Sequence, residues 1–159
     1  MATFDNLYLP RLHRAGYVAP NASSVDTASP GGFVLDSQPG IYHHVLVLDF
    51  KSLYPSIIRT FHIDPLGLAL GGDPDLDESD TVPGFLGARF AREGHILPDL
   101  IEQLWARRDA AKDDGDQPLS QAIKIIMNSF YGVLGSPGCR FFDPRLATSI
   151  TRRGHEILQ

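Results

Sequence analysis

Cysteine is nearly absent from this sequence: Cys139 is the only one among 159 residues. A single thiol excludes an intrachain disulfide and a cysteine-rich zinc site, and it favours a reducing, cytoplasmic setting. Long apolar runs are also lacking, since none approaches the roughly 20 residues that a membrane helix needs, so we expect no membrane partner. Neither a Gly-x-Ser-x-Gly turn nor a Gly-rich Lys-Ser/Thr loop occurs, which argues against a hydrolase or a P-loop enzyme.

A net positive charge, which is typical of nucleic-acid-binding proteins, is also missing, because the formal net charge is −5. The acids are concentrated in residues 61–104, which carry nine acids and two bases. Residues 105–159 instead carry eight bases and six acids. We interpret the acidic stretch at 71–83 as a solvated loop. The overall acidity therefore does not exclude an anion-binding site in the C-terminal third.

One apolar run leads directly into a single acid. Residues 45–48, Val-Leu-Val-Leu, are costly to expose, so we expect a strand in the middle of a sheet. Asp49 then follows at the strand's end, where a carboxylate stays ionised beside solvent and can hold a cation. The tight turn before Tyr54 and Pro55 leaves backbone N–H groups free to bind an anion. These features suggest a nucleotide triphosphate site, and the alternatives are a capping role for Asp49 and a core position for Tyr54.

Three helices are predicted in the second half of the chain. Apolar residues recur at helical spacing over 97–112, and a turn-forming stretch at 113–118 ends that helix. A second helix is predicted over 118–133, and a third from Asp143-Pro144 to the last residue. Because a chain that stops inside a helix is unusual, we expect a fragment of a longer protein. The stretches predicted to be loops are 19–40 and 71–84.

The first two of these helices form a predicted hairpin with a charged side. Two helices joined by about five residues must pack antiparallel. Arg108 and Lys112 are four residues apart and share a helix face, while Lys124 begins a polar stripe that continues one and two turns later with Asn128 and Tyr131. We expect the three cations to converge and to need an anion between them. The alternative is that each is a solvated charge near an acid, namely Asp109, Asp113 or Asp114.

These segments resemble the family B DNA polymerases. Residues 49–58 resemble motif A of that family, Asp-x-x-Ser-Leu-Tyr-Pro-Ser-Ile-Ile, and residues 124–132 resemble its motif B, Lys-x-x-x-Asn-Ser-x-Tyr-Gly. The basic pair on the first predicted helix of the hairpin matches the pair on the first fingers helix of the family. The flanks 17–20 and 140–145 resemble the bacterial DNA polymerase II branch in particular. The resemblance thus covers nearly the whole chain.

The resemblance implies a role for each matching residue. It implies that Asp49 and the carbonyl oxygen of Phe50 hold Mg²⁺ in a two-metal site. Tyr54 resembles the steric gate that excludes a 2′-hydroxyl from the nucleotide site. The other nucleotide-binding residues implied are Ser52 and Leu53 through their backbone N–H groups, Arg108, Lys112, Lys124 and Asn128 at the phosphates, and Tyr131 and Gly132 at the nascent base pair.

The implied reaction is transfer of a deoxynucleotide from its triphosphate to the 3′-hydroxyl of a primer paired with a DNA template, in replication or repair at a bacterial nucleoid. Gly31 and Gly32 resemble the glycine pair of the template-strand loop Tyr-x-Gly-Gly, although position 29 is Ser. The family's second acidic motif, Tyr-Gly-Asp-Thr-Asp, does not occur. We therefore expect the chain to be inactive without its partner parts, namely the exonuclease, the rest of the palm and the thumb. The alternative is a stand-alone nucleotide- or DNA-binding module without catalysis.

The expected fold class is α/β (α+β): a partial polymerase palm sheet with an inserted antiparallel two-helix fingers hairpin. The six histidines show no metal-ligand spacing, and we interpret them as structural. The expected segments are a loop-rich lead into the palm at 1–40, a palm part with motif A at 41–94, the fingers hairpin with motif B at 95–136, and a return to the palm at 137–159.

Overall fold

The computed structural model describes residues 1–22 and 36–159. Gly31 and Gly32 therefore lie outside the described residues. Within them the fold is mainly helical, with one small antiparallel sheet, and no helix is long and apolar enough to cross a membrane. The helices are α1 (Ala2–Arg14), α2 (Leu53–Thr60), α3 (Pro65–Leu70), α4 (Leu97–Asp113), α5 (Gln117–Leu134) and α6 (Pro144–Leu158), and the strands are β1 (Thr81–Pro83) and β2 (Arg89–Ala91).

An aspartate one or two residues before a proline starts three of these helices. Asp64, Asp116 and Asp143 each accept a backbone N–H from the first turn of α3, α5 and α6, at 2.7 to 3.0 Å. Each of these helices also carries proline at its first or second position, where the missing N–H is not needed. The predictions of α4, α5 and α6 are confirmed to within one residue at each start and two at each end.

Helix α1 was not predicted, because the whole segment 1–40 was expected to be loop-rich. Its buried residues Phe4, Tyr8 and Leu12 are spaced four apart and so form one apolar face. The Phe4 ring stacks on Tyr8 at 5.1 Å and meets the edge of Phe130 on α5 at 5.5 Å between ring centres. This helix therefore covers the base of the α4–α5 pair.

The expected buried strand at 45–48 is wrong for this chain. Those residues have no strand structure, and their exposed fractions run from 70 to 84%. The one sheet in the described residues pairs β1 with β2 in the register Thr81↔Ala91, and the loop expected at 71–84 thus supplies a strand instead. A strand needs neighbours for its backbone N–H and C=O groups. Because neither β1 nor β2 pairs with 45–48, this apolar run lies against solvent.

A buried carboxylate fixes the start of α4 to two other helices. Asp64 is fully buried, and its Oδ1 accepts the Tyr8 hydroxyl at 2.9 Å and the Leu97 N–H at 2.7 Å. Its Oδ2 accepts the Gly67 N–H at 2.7 Å. Burial raises the pKa of Asp64, although these donors oppose that effect. The network links α1, α3 and α4, so the α4–α5 pair has an anchored base.

Two histidines link the segment just after α2 to the start of α4. The Nδ1 atoms of His62 and His95 lie 3.2 Å apart, and His95 Nε2 lies 3.2 Å from Asp99 Oδ1 on α4. Burial lowers the pKa of His62 most, and the neighbouring His95 lowers it further. The described residues show no group of three or more His, Cys, Asp or Glu side chains that could hold a metal ion. The histidine contact thus links two helices.

Candidate functional site

The turn at 49–52 places its functional groups at the open end of α2. Asp49 is exposed and Phe50 is half exposed. Ser52 adopts the left-handed conformation, with φ 54° and ψ 53°, which is uncommon for a residue with a side chain. Its hydroxyl does not cap the helix, so the first N–H groups of α2 are open to a ligand. The turn therefore offers a carboxylate and backbone N–H donors side by side.

A cleft of about 430 Å³ joins this turn to α5. The polar stripe of α5 forms the opposite wall, because residues one turn apart share a helix face. Asp49 is the one carboxylate among the described residues that line the cleft. The lining residues are Asp49, Phe50, Ser52, Leu53, Tyr54 and Pro55 on one side, and Lys124, Asn128 and Tyr131 on the other.

Two tyrosines form the floor of this cleft. The rings of Tyr54 and Tyr131 lie 4.7 Å apart between centres, with their planes inclined by 46°. Burial and the neighbouring Tyr54 raise the pKa of Tyr131, so its phenol is neutral at physiological pH. The floor is therefore aromatic, with Asp49 and Lys124 in the walls beside it.

The three cations predicted to converge do not all reach the cleft. Lys124 lines it. Arg108 stands at its edge, with Nη1 3.5 Å from Ser52 Oγ. Its buried Nε has no hydrogen-bond partner among the described residues. Lys112 instead pairs with Asp109 at 3.1 Å, an arrangement that the alternative interpretation included. Lys112 thus does not line the cleft in this structure, and its role at the phosphates stays a prediction.

Gly132, the residue after Tyr131, is exposed. A side-chain carbon at this position would meet no atom of the described residues within 4 Å outside its own stretch of helix. Packing among the described residues therefore does not require glycine here. Asn128 is exposed on the same helix, one turn before Gly132. Asn128 lines the cleft, whereas Gly132 is not among the lining residues.

A set of contacts behind the turn was not predicted from the sequence. Trp105 of α4 is partly buried and packs against the core. The Lys51 Nζ lies 5.9 Å from the centre of its ring, and the Arg59 guanidinium carbon lies 5.4 Å away. The available signal was the three-residue spacing between Trp105 and Arg108, which puts both on one face of α4.

The family assignment rests on a direct comparison. A family model described as DNA polymerase family B matches residues 4–159. The chain belongs to DNA polymerase family B. The family expected from the two motifs is therefore confirmed.

The relatives place the chain within much longer family B proteins. It is 62% identical over 161 residues to DNA polymerase II of Escherichia coli (strain K12), an alignment that spans 100% of this chain and 20% of that protein. It is 32% identical to a DNA polymerase of Thermococcus sp. (strain 9oN-7), over 81% of this chain and 18% of that one. The chain thus spans about a fifth of the length of these relatives.

A solved family B structure has the same fold over nearly the whole chain. The family B DNA polymerase from the hyperthermophilic archaeon Pyrobaculum calidifontis superimposes with a TM-score of 0.71 and 30% sequence identity. The match covers 94% of this chain and 22% of that one. The mixed helical fold with its small sheet is therefore a segment of the family B architecture.

Proposed function

We propose that this chain is the nucleotide-binding part of a DNA-directed DNA polymerase that adds deoxynucleotides to the 3′-hydroxyl of a primer. The observation that carries the proposal is the shared cleft, in which Asp49 and the N-terminal turn of α2 face Lys124 and Asn128 of α5. A carboxyl group, backbone N–H groups and a lysine in one cleft match the charges of a nucleoside triphosphate and its metal.

The finer architecture follows from this proposal. Residues 41–94 belong to the palm, 95–136 to the fingers and 137–159 to the return into the palm. The anchored base of the α4–α5 pair suits a fingers hairpin that stands over a site on the palm. The remaining palm, the thumb and the exonuclease belong to a longer chain, which acts on primer–template DNA at the nucleoid. Gly31 and Gly32 are proposed contacts of the template strand.

The triphosphate has donors on both walls of the cleft. Ser52 and Leu53 offer backbone N–H groups at the start of α2, and the Lys124 ammonium faces them. Within residues 1–22 and 36–159, the buried Nε of Arg108 has no hydrogen-bond partner, and its Nη1 makes a long contact to Ser52. A phosphate would satisfy that guanidinium, because charge-assisted hydrogen bonds to phosphate suit its planar donor set. Lys112 would join by exchanging Asp109 for a phosphate oxygen.

Asp49, the acid of the turn, is suited to be one ligand of a magnesium ion. Magnesium takes six oxygen ligands and is usually held by one or two carboxylates together with phosphates. Asp49 and the carbonyl of Phe50 are oxygen donors that line the cleft, and further ligands come from the nucleotide and from an acid elsewhere in the longer chain. A magnesium ion held by these groups would supply a lower pKa for the primer hydroxyl and would offset the charge of the leaving pyrophosphate.

The aromatic floor sets the choice of sugar. Tyr54 lies where the sugar of a nucleotide held by the turn and Lys124 would rest. Its ring is backed by Tyr131 at 4.7 Å, so it cannot retreat to admit a 2′-hydroxyl. Gly132 has open space in front of it, and this space accommodates the nascent base pair.

Primer extension by the longer polymerase tests the proposal. Deoxynucleotide is titrated with magnesium against the parent enzyme and its Asp49→Ala variant. We expect Asp49→Ala to abolish extension while primer–template binding is kept, and we expect the isolated 159-residue chain to extend nothing. Asp113→Ala, an exposed acid outside the cleft, is the matched control. Extension by the Asp49→Ala enzyme at the parental rate would overturn the proposal.

A second candidate function is nucleotide or DNA binding without catalysis. The observation in its favour is that Asp49 is the sole carboxylate lining the cleft among the described residues. The two candidates separate in one measurement, because a binding module takes up magnesium–nucleotide without extending a primer even in its complete chain.

A further inference from the structure

One face of α4 carries a stripe made of a tryptophan and three charged side chains, and this stripe contacts the turn at 49–52. Trp105, Arg108, Asp109 and Lys112 follow the spacing i, i+3, i+4 and i+7, so they lie on one side of the helix. Arg108 reaches Ser52, as described above, and Lys51 lies over Trp105. The stripe thus contacts two consecutive residues of the turn that carries Asp49.

Lys51 faces this stripe and not the cleft. It is absent from the residues that line the cleft, and its ammonium lies 5.9 Å from the Trp105 ring centre. A hydrogen bond from Lys112 lowers the pKa of Asp109, and the charges of Lys51 and Arg108 add to that effect. The Lys51 ammonium therefore lies over an aromatic face of α4, on the side of the helix that also carries Asp109. Such a position suits an anchor and does not suit a phosphate ligand.

Trp105 also contacts the far end of α2. The guanidinium of Arg59, in the last turn of α2, lies 5.4 Å from the same ring centre. Lys51 precedes α2 and Arg59 closes it, so one ring meets side chains from both ends of the helix. Cations over the face of an indole are attracted by its quadrupole. The ring therefore contacts side chains from both sides of α2, which is the position needed to align α2 and its leading turn with α4.

We propose that Trp105 is a positioning residue of the nucleotide site, which holds Lys51 and the turn 49–52 against α4. The inference rests on the proposed function, since its effect is read through the nucleotide. Without the ring, the Ser52 and Leu53 N–H groups lose their alignment with the phosphates. The expected result is a higher KM for the nucleotide, while affinity for primer–template DNA is unchanged.

The test is a double-mutant cycle in the longer polymerase. Trp105→Leu and Lys51→Met should each lower kcat/KM for the nucleotide about fivefold, mainly through KM. The double variant should lose about fivefold as well, whereas independent sites would give about 25-fold. Trp105→Phe and Lys51→Arg keep the aromatic face and the cation, and should restore kcat/KM to within about twofold. Arg107→Ala removes an exposed cation of α4 and serves as the matched control.

Different results overturn the two proposals. If Asp49→Ala abolishes extension but the double variant loses about 25-fold, the positioning role fails and the proposed function stands. If Asp49→Ala extends normally, the proposed function fails first. Should Trp105→Leu not fold, Lys51→Met decides alone, because Lys51 is exposed and its loss spares the core. A parental nucleotide KM in Lys51→Met, or an equal rise in Arg107→Ala, would also refute the positioning role.

Discussion

The Tyr54 ring of α2 rests against the Tyr131 ring of α5, with 4.7 Å between the centres. The contact joins the motif at 49–58 to the motif at 124–132, which is far away in the sequence. It also limits the movement of each ring, since Tyr131 is partly buried behind Tyr54. A nucleotide sugar placed on this floor therefore meets a supported surface.

We expect Tyr54→Ala in the longer polymerase to raise ribonucleotide incorporation by about tenfold or more, because the ring no longer collides with a 2′-hydroxyl. The measurement is the ratio of kcat/KM for a deoxynucleotide and the matching ribonucleotide. Tyr54→Phe keeps the ring and should keep the discrimination. Unchanged sugar selectivity in Tyr54→Ala would remove this residue from the gate role.

Removal of the cleft lysine should weaken use of the nucleotide. Lys124→Ala takes away a charge-assisted contact to phosphate, and we expect kcat/KM for deoxynucleotide to fall by more than about tenfold, or ~1.4 kcal/mol. Gln121 is exposed one turn earlier on α5 and is not among the residues that line the cleft, so Gln121→Ala is the control. A parental rate and apparent affinity in Lys124→Ala would leave this lysine as ordinary surface.

The parts of the fold that the sequence predicted are those with local causes. Helices α4, α5 and α6 follow from apolar spacing and from the caps Asp116 and Asp143, which act within three residues. The strand expected at 45–48 depends on partner strands that residues 1–22 and 36–159 do not provide. Helix α1 was overlooked because the turn formers that follow it dominated the interpretation of 1–40, although its apolar spacing was a usable signal.

The candidate site likewise has parts that could be predicted from the sequence and parts that could not. Its turn and its α5 stripe could be named from sequence, because each is a short motif. The pairing of Lys112 with Asp109 depends on a choice between neighbours on one helix surface, which spacing alone leaves open. The contact of Lys51 with Trp105 joins elements far apart in the sequence, so only the packed structure reveals it.

The buried Asp64 network gives a prediction about stability. Asp64→Asn replaces one acceptor oxygen with an amide N–H that must face a donor, either Leu97 or Gly67. We expect the free energy of unfolding to fall by about 2–4 kcal/mol, measured by urea unfolding of the chain. Asp73→Asn, at an exposed turn, is the control. A loss of less than about 0.5 kcal/mol would show that the network does not hold α4.

The exposed run at 45–48 gives a prediction that differs between this chain and the longer polymerase. Val47 is 84% exposed here, so Val47→Lys should change the unfolding free energy of this chain by no more than about 0.5 kcal/mol. In the longer polymerase the proposed palm sheet covers this run, and the buried charge should then cost several kcal/mol, seen as a lower melting temperature. Val82→Lys alters a residue that is only 8% exposed on β1 and should destabilise both proteins. An equally small effect of Val47→Lys in both would mean that the palm sheet does not include this run, because burial between strands is what makes the lysine costly.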